Sequence, residues 1–565
     1  MRWMKDGNLR RPAKEKTTLK QMNGGSAILQ SLLLHGVDTI FGMPGVQTYP
    51  FFDALYQAGD QVRLITPRHE QGAAYMAYGY AKSTGKVGVY AVVPGPGVLN
   101  TGAALCTAYG ASTPVVCITG QVPTEFIGSG KGHVHELPDQ LATLRTLTKW
   151  ASRINHPAEA PRLVAAAFQQ ATSGRPRPVA LEMAWDTCLA QAGVELVPPL
   201  AKYPTIPTDP DEISKAAKLL KDAKSPMIMV GGGAVNAGEE VLALAEFLQA
   251  PVVSYRAGRG IVSDEHYLGF TCASGFKRWE DTDVLIGIGS RLQLQWFEWG
   301  PQRCRKEKLV NIDIDPQQTG RLLPDVAVVG DARVSAHDLL AELQRISSPR
   351  ASRREEFEAV KQSTWLEIQH VRPQIQYLEA IRRVLPRDGF FVEEVCQVGF
   401  TSYYGFPVYE PRKYVTGGHQ GNLGFGFPTA LGVKVANPDK AVVSIAGDGG
   451  FQFGLQELAT AVQYGINLVV VVFNNNSYGN VMRDQKDHFG GRIIGSALRN
   501  PDFVALARSY GVNATKADTP DKLASALEKA LAEQAPALIE VPIPTGTEYT
   551  PWELLKPAKK VRLQQ

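Results

Sequence analysis

The sequence predicts an α/β protein built from three doubly wound, mostly parallel-sheet domains. Three observations carry this. Short runs that are apolar on both faces recur along the chain, each followed by a Gly-rich turn and a helical pattern. The runs fall into three groups, which makes three sheets. The length, 565 residues, is too great for one ordinary core.

The first group holds the runs 87–93 and 114–119. The second holds 226–230, 283–288 and 308–314, and the third 441–446 and 467–473. The helical stretches 72–82 and 455–464 fit βαβ crossovers. Pro198, Pro199, Pro204, Pro207 and Pro210 mark an extended connection. A charged, Ser/Pro-containing and then helical stretch reads as a second one. The expected layout is a domain at 17–190, a connection at 191–211, a domain at 212–345, a connection at 346–365 and a domain at 366–565.

Composition removes several classes of function. A net charge of +4 on this length offers nothing to nucleic acid or an anionic membrane. The basic cluster Arg2, Lys5, Arg10, Arg11, Lys14, Lys16 and Lys20 has few apolar neighbours, so residues 1–16 read as a solvated, disordered tail and not a secretory signal. No run of about 18 apolar residues exists to span a bilayer. Cys106, Cys117, Cys188, Cys272, Cys304 and Cys396 form no CxxC pair, which points to a reducing, cytoplasmic setting and away from structural zinc.

The strongest local signal is Gly447-Asp448-Gly449-Gly450 directly after one strand, with Asn474-Asn475-Asn476 ending the next. Glycines after a strand let backbone N–H groups approach a phosphate. Mg²⁺ seeks about six oxygens, few of them from protein. A carboxylate and an amide carbonyl at one sheet edge suit it.

Asn475 stands 27 residues after Asp448, and this motif resembles the thiamine-diphosphate signature of the acetolactate synthase-like and benzoylformate decarboxylase-like enzymes. The resemblance covers residues 17–550. It implies thiamine diphosphate and Mg²⁺ as cofactors, with pyrimidine-binding, central and diphosphate-binding domains in that order. Asp448, Asn475 and the carbonyl of Ser477 would hold the metal. Gly447, Gly449, Gly450, Tyr478 and Gly479 would complete the cofactor contacts of this segment.

A second motif, Arg68-His69-Glu70-Gln71-Gly72, resembles the family's His-Glu-x-Gly segment. By that resemblance Glu70 shares a proton with N1′ of the aminopyrimidine, work that needs a carboxyl kept from bulk water. The turn from Pro94 to Asn100 gives Pro96 and Asn100 as pyrimidine contacts, with Pro94 and Leu99 departing from the family pattern. The Gly418–Gly426 run resembles the family's wedge segment, which implies Leu423 as the wedge that bends the cofactor and the Gly421 carbonyl as an acceptor for N4′. Gln397 matches a diphosphate contact, and Gln121 is placed with His135 among the catalytic residues.

For the substrate the resemblance implies Val46, His133, His419, Gln420, Asn480 and Asp484. Asn480 and Asp484 replace the Met and Trp that shape the pocket of true acetohydroxyacid synthases. His135 falls where the family has Gln, and a histidine there could relay protons. The spacing of His133, His135 and Glu136 fits no usual zinc pattern. The Gly231-Gly232-Gly233-Ala234 turn resembles a dinucleotide turn, but Arg291-Leu292-Gln293-Leu294-Gln295 replaces the Arg-Phe-Asp-Asp-Arg of flavin-binding relatives, so FAD is not expected.

The implied activity is decarboxylation or carboligation of a 2-oxoacid through a C2 ylide and an enamine, with an aldehyde as a possible acceptor. The implied assembly is a homodimer or homotetramer with sites at the subunit interface. The alternatives are a lyase acting on acyloins or diketones without CO₂ loss, and a catalytically silent homologue. Intact Glu70, Asp448 and Asn475 oppose the silent reading.

Overall fold

A computed structural model describes residues 19–204, 207–299 and 307–557. The expected tail at 1–16 and Cys304 lie outside them. Among the described residues are three six-stranded sheets, each parallel throughout. Runs such as Val469–Asn474, VVVVFN, are buried on both faces, as strands between two helical layers require.

In spatial order the first sheet is Arg63–Ile65, Thr39–Gly42, Gly88–Val92, Val115–Gln121, Val179–Ala184 and Trp150–Ile154. The second is Gly269–Thr271, Val252–Ser254, Pro226–Val230, Val284–Ile288, Lys308–Asp313 and Val326–Val329. The third is Tyr414–Val415, Phe390–Val392, Val442–Gly447, Val469–Asn474, Ala537–Pro542 and Asn513–Lys516. In the third sheet the chain runs outward from Phe390–Val392 on one side and from Val442–Gly447 on the other. A crevice therefore opens between their carboxyl ends. No helix among the described residues is long and apolar enough to cross a membrane.

Both expected connections need correction. Residues 191–211 begin with a strand, Gln191–Val194, that pairs antiparallel with Lys20–Asn23 and ties the start of the first domain to its end. The same span closes in the helix Pro210–Asp222, where Asp209 caps the amino end. Residues 346–365 carry most of the helix Arg354–Ile368, which packs on the second domain. Its Phe357 is fully buried, edge-on to Phe270 at 5.7 Å, and Lys361 donates to the carbonyls of Asp264 and His266. The charged composition of that stretch serves its outer face.

The first and third domains meet through two helices, Glu70–Thr84 and Gly426–Ala436. Small residues decide how closely. A Cβ on Gly79 would stand 2.1 Å from the carbonyl oxygen of Thr429, and one on Gly432 would stand 1.9 Å from that of Met76. Backbone therefore packs on backbone, and this contact sets where the helix bearing Glu70 begins. The second and third domains are latched by Arg259, whose side chain is fully buried, pairs with Asp264 at 2.5 Å and donates to the carbonyls of Ser402 (3.2 Å) and Phe406 (2.7 Å).

Gly432→Ala has no room to relax without parting the two helices. It should destabilise the protein by about 1–3 kcal/mol, read from the shift of the urea unfolding midpoint.

Candidate active site

The crevice of the third sheet collects the diphosphate and metal motif. Strands Val442–Gly447 and Val469–Asn474 pair in register, Gly447 opposite Phe473, so Asp448 and Asn475 emerge side by side. Asp448 starts the short helix Asp448–Phe451 and is 2% exposed; Asn475 is 7% exposed. Ser477, also buried, lies two residues further on. Gln397 enters from the neighbouring strand end, and Leu423, Gly447, Gly449, Gly450, Tyr478, Gly479 and Asn480 complete the lining.

The residues fit the groups the motif implies. Burial raises the Asp448 carboxyl, whose Oδ2 accepts from Asn500 Nδ2 at 2.6 Å, and no ion pair among the described residues neutralises it. A buried carboxylate without a protein cation suits a bound metal ion. Gln397 Nε2 is buried with no hydrogen-bond partner in the same cleft, a donor awaiting an acceptor such as a diphosphate oxygen. Gly449 leaves needed space, since a Cβ there would meet the Tyr478 ring at 2.4 Å.

The segment bearing Leu423 is held from beneath. Gly424 N and Gly426 N donate to the two oxygens of Glu394 at 2.9 and 2.8 Å. Gly424 has a φ of +79°, in the left-handed region that favours glycine. Gly421, on the same segment, has a φ of +60° and is exposed.

On the first domain Glu70 is the first residue of its helix, with the His69 ring accepting from Gln71 N. Asn100 Nδ2 donates to Glu70 Oε2 at 3.0 Å, so the predicted acid and one predicted ring contact do meet. Pro96 opens the short helix that ends at Asn100. Glu457 of the third domain accepts from Arg68 N at 3.1 and 3.0 Å, which pins the backbone just before Glu70. The residues lining the Asp448 cleft all belong to the third domain, and Glu70 is not among them.

His135 sits on the loop beside the first domain's turn, at φ +68°. Its Nδ1 lies 2.7 Å from Gln47 Oε1, and Gln47 Nε2 is committed to the Val134 carbonyl at 2.9 Å. A neutral His135 must therefore carry its proton on Nδ1, leaving Nε2 as a free acceptor. Val46, half-buried, precedes Gln47 in a short 3₁₀ turn. His133 packs on Phe126 at 4.7 Å between ring centres. Glu136 accepts from the backbone of His133, Gly130 and Gly132, bonds that shape the loop and hold its carboxyl below the usual range.

Three of the expected residues are engaged away from the Asp448 cleft. Gln121 is 3% exposed; its Nε2 donates to Glu182 and its Oε1 accepts from Val122 N, so it belongs to a buried network. In that network Gln140 accepts from Gly95 N at 2.8 Å and steadies the turn before Pro96. His419 and Gln420 lie against Gly110. Arg291 donates to the His419 ring at 2.8 Å, and burial with that guanidinium pulls His419 down to about 4. His419 thus borders the groove of the central domain, with Gly231, Gly232, Gly233, Arg175 and Arg256, and not the Asp448 cleft.

Sequence reasoning missed Glu548, Arg483, Trp552 and Asn500. Trp552 Nε1 donates to Asn480 Oδ1 at 2.6 Å, and Asn480 Nδ2 reaches Asp484 at 3.5 Å. Glu548, its carboxyl raised by burial, lines the cleft. None stands in a recognisable motif.

Three family models match the chain: the thiamine pyrophosphate enzyme N-terminal TPP binding domain at 22–143, the central domain at 213–343 and the C-terminal TPP binding domain at 395–541. The chain is 35% identical to a probable acetolactate synthase large subunit of Methanocaldococcus jannaschii, over 92% of each chain. It is 34% identical to the acetolactate synthase large subunit of Haemophilus influenzae, over 91% of this chain and 93% of that one. It is 33% identical to a probable 2-ketoarginine decarboxylase of Pseudomonas aeruginosa, over 92% and 94%.

Burial raises Glu393 to about 7 and Glu394 to about 8. The folded protein then keeps protons that the unfolded chain releases, so stability should fall as pH rises from the ordinary glutamate value of 4.5 through about 8. Each such carboxyl contributes up to about 1.4 kcal/mol per pH unit. Urea midpoints of the cofactor-free protein across that range check it, and Glu394→Gln should flatten the slope.

Proposed function

Because the chain belongs to the thiamine pyrophosphate enzyme family, we propose that it binds thiamine diphosphate with Mg²⁺ and decarboxylates a 2-oxoacid, releasing an aldehyde or joining the acyl unit to a second carbonyl. The single observation that carries this reading is the Asp448 cleft. It combines a buried, unpaired carboxylate, the Asn475 amide and the unpartnered Gln397 donor.

Asp448, Asn475 and the Ser477 carbonyl hold the cation. Gln397 and the Gly447–Gly450 turn take the diphosphate. Leu423 would support the cofactor, the Gly421 carbonyl would accept from its amino group, and Pro96 and Asn100 would hold the pyrimidine. Bound there, thiamine diphosphate supplies the electron sink for the carbon–carbon bond that breaks. Glu70 exchanges a proton with the ring nitrogen, and Asn100 fixes the carboxyl at Oε2. His135, held by Gln47, takes or returns a proton at Nε2. We infer further that the site is completed between two subunits, Glu70 of one serving Asp448 of the other, a reading supported by a cleft lining drawn from the third domain alone.

One observation narrows the substrate. Asp484 stands one helical turn beyond Asn480 and joins no ion pair among the described residues. A carboxylate there suits a 2-oxoacid with a positively charged side chain, the chemistry named for the Pseudomonas aeruginosa relative.

A panel of pyruvate, 2-oxobutyrate, phenylglyoxylate and 2-ketoarginine, followed by CO₂ release, tests the reading. The highest kcat/KM should fall on the guanidino compound, and Asp484→Asn should lower it about tenfold without changing the neutral substrates. Aldehyde release from acyloins with no CO₂ from any oxoacid would instead favour the lyase. Glu70→Gln should lower kcat by about 10²–10⁴-fold.

A further inference from the structure

Three side-chain amides line the cofactor cleft, those of Asn475, Gln397 and Asn480, and the first two are the ones read as metal and diphosphate contacts. A carboxamide is nearly symmetric in shape but opposite in chemistry at its two ends: the oxygen accepts and the nitrogen donates. A metal ion can use only the oxygen of Asn475. A diphosphate oxygen can use only the nitrogen of Gln397. We propose that Glu548 and Arg483 are positioning residues that set these two amides in opposite senses. The proposal rests on the cleft being the metal and diphosphate site.

Asn475 Nδ2 donates to Glu548 Oε2 at 2.6 Å, while its Oδ1 accepts from Ser477 N at 3.1 Å and Ser477 Oγ at 3.0 Å. Turned over, the amide would set its oxygen against a carboxylate and its NH₂ against the Ser477 N–H. Gln397 Oε1 accepts from Arg483 Nη1 at 2.9 Å, which leaves Nε2 as the buried donor without a partner. Turned over, its NH₂ would face a guanidinium. Each amide therefore has one tolerable orientation, and it is the one its ligand requires.

The two devices share an anchor. Arg483 Nη2 donates to the backbone carbonyl of Glu548 at 2.9 Å. Glu548 follows the last strand of the chain, and its segment is fastened by Thr545 Oγ1 to the Asn475 carbonyl at 2.6 Å. Tyr549 adds two bonds, its N–H to the Arg372 carbonyl at 3.0 Å and its carbonyl from Gln374 Nε2 at 2.6 Å. A segment outside every sequence motif thus determines the polarity of both motif residues.

The test uses the full chain and two binding titrations, read by calorimetry. Glu548→Met removes the acceptor at similar volume and should raise the Mg²⁺ concentration for half-saturation at least about tenfold, measured at saturating thiamine diphosphate. Glu548→Gln keeps an acceptor oxygen and should recover most of that loss. Arg483→Met should weaken thiamine diphosphate about tenfold at saturating Mg²⁺, and Arg483→Lys, which keeps a cationic donor, should recover part of it. A general structural role would move both titrations alike in both variants and lower the melting temperature of the cofactor-free protein; that pattern, or wild-type Mg²⁺ binding by Glu548→Met, overturns the proposal. If the wild-type protein itself takes up no thiamine diphosphate with Mg²⁺, the underlying reading of the cleft fails with it, an outcome the variants do not share.

Discussion

The parallel pairing of Val442–Gly447 with Val469–Asn474 is the constraint on which the site depends. Parallel strands end on the same side of a sheet, so two motif segments far apart in the chain emerge next to one another. The register does the rest: with Gly447 opposite Phe473, Asp448 and Asn475 both follow within two residues of that pair and leave the same sheet edge. The neighbouring strand Phe390–Val392 leaves in the opposite direction, and the crevice it opens receives Gln397.

Burial of acids follows from that placement. Asp448 lines the cleft and Glu394 lies beneath the segment that bears Leu423, and the Gly424 and Gly426 amides partly offset the cost at Glu394. Glu394 thereby holds the loop that carries Leu423. The same logic governs the opposite half. Glu457 fixes the backbone ahead of Glu70, and the glycine-lined contact between Glu70–Thr84 and Gly426–Ala436 brings that helix against the third domain. Each reactive group is thus positioned by a buried neighbour in another element, which is what keeps short polar side chains in one geometry.

The loop carrying His135 shows how little of such positioning is visible in one dimension. Its histidines and acid invite a reading as metal ligands or catalysts. Folded, Glu136 is spent on three backbone amides, His133 on an aromatic ring, and only His135 keeps a free nitrogen, because Gln47 occupies the other. Gln121 and His419 carry the same lesson: their polar ends are already satisfied by Glu182 and Arg291.

By itself the sequence determined the three-domain α/β architecture and the strands that bear the motifs, and it singled out Glu70, Asp448 and Asn475 as candidates. Short runs apolar on both faces, glycine turns and a fixed spacing are local properties, written in consecutive residues. Only the tertiary structure decided which way the Asn475 and Gln397 amides face, that the segment around Glu548 and Trp552 closes on them, and that helix 354–368 joins the second domain. Those outcomes depend on partners 73, 86 and 72 residues apart along the chain. No local pattern records such a pairing, because hydrogen-bond polarity is fixed only when both partners are in place.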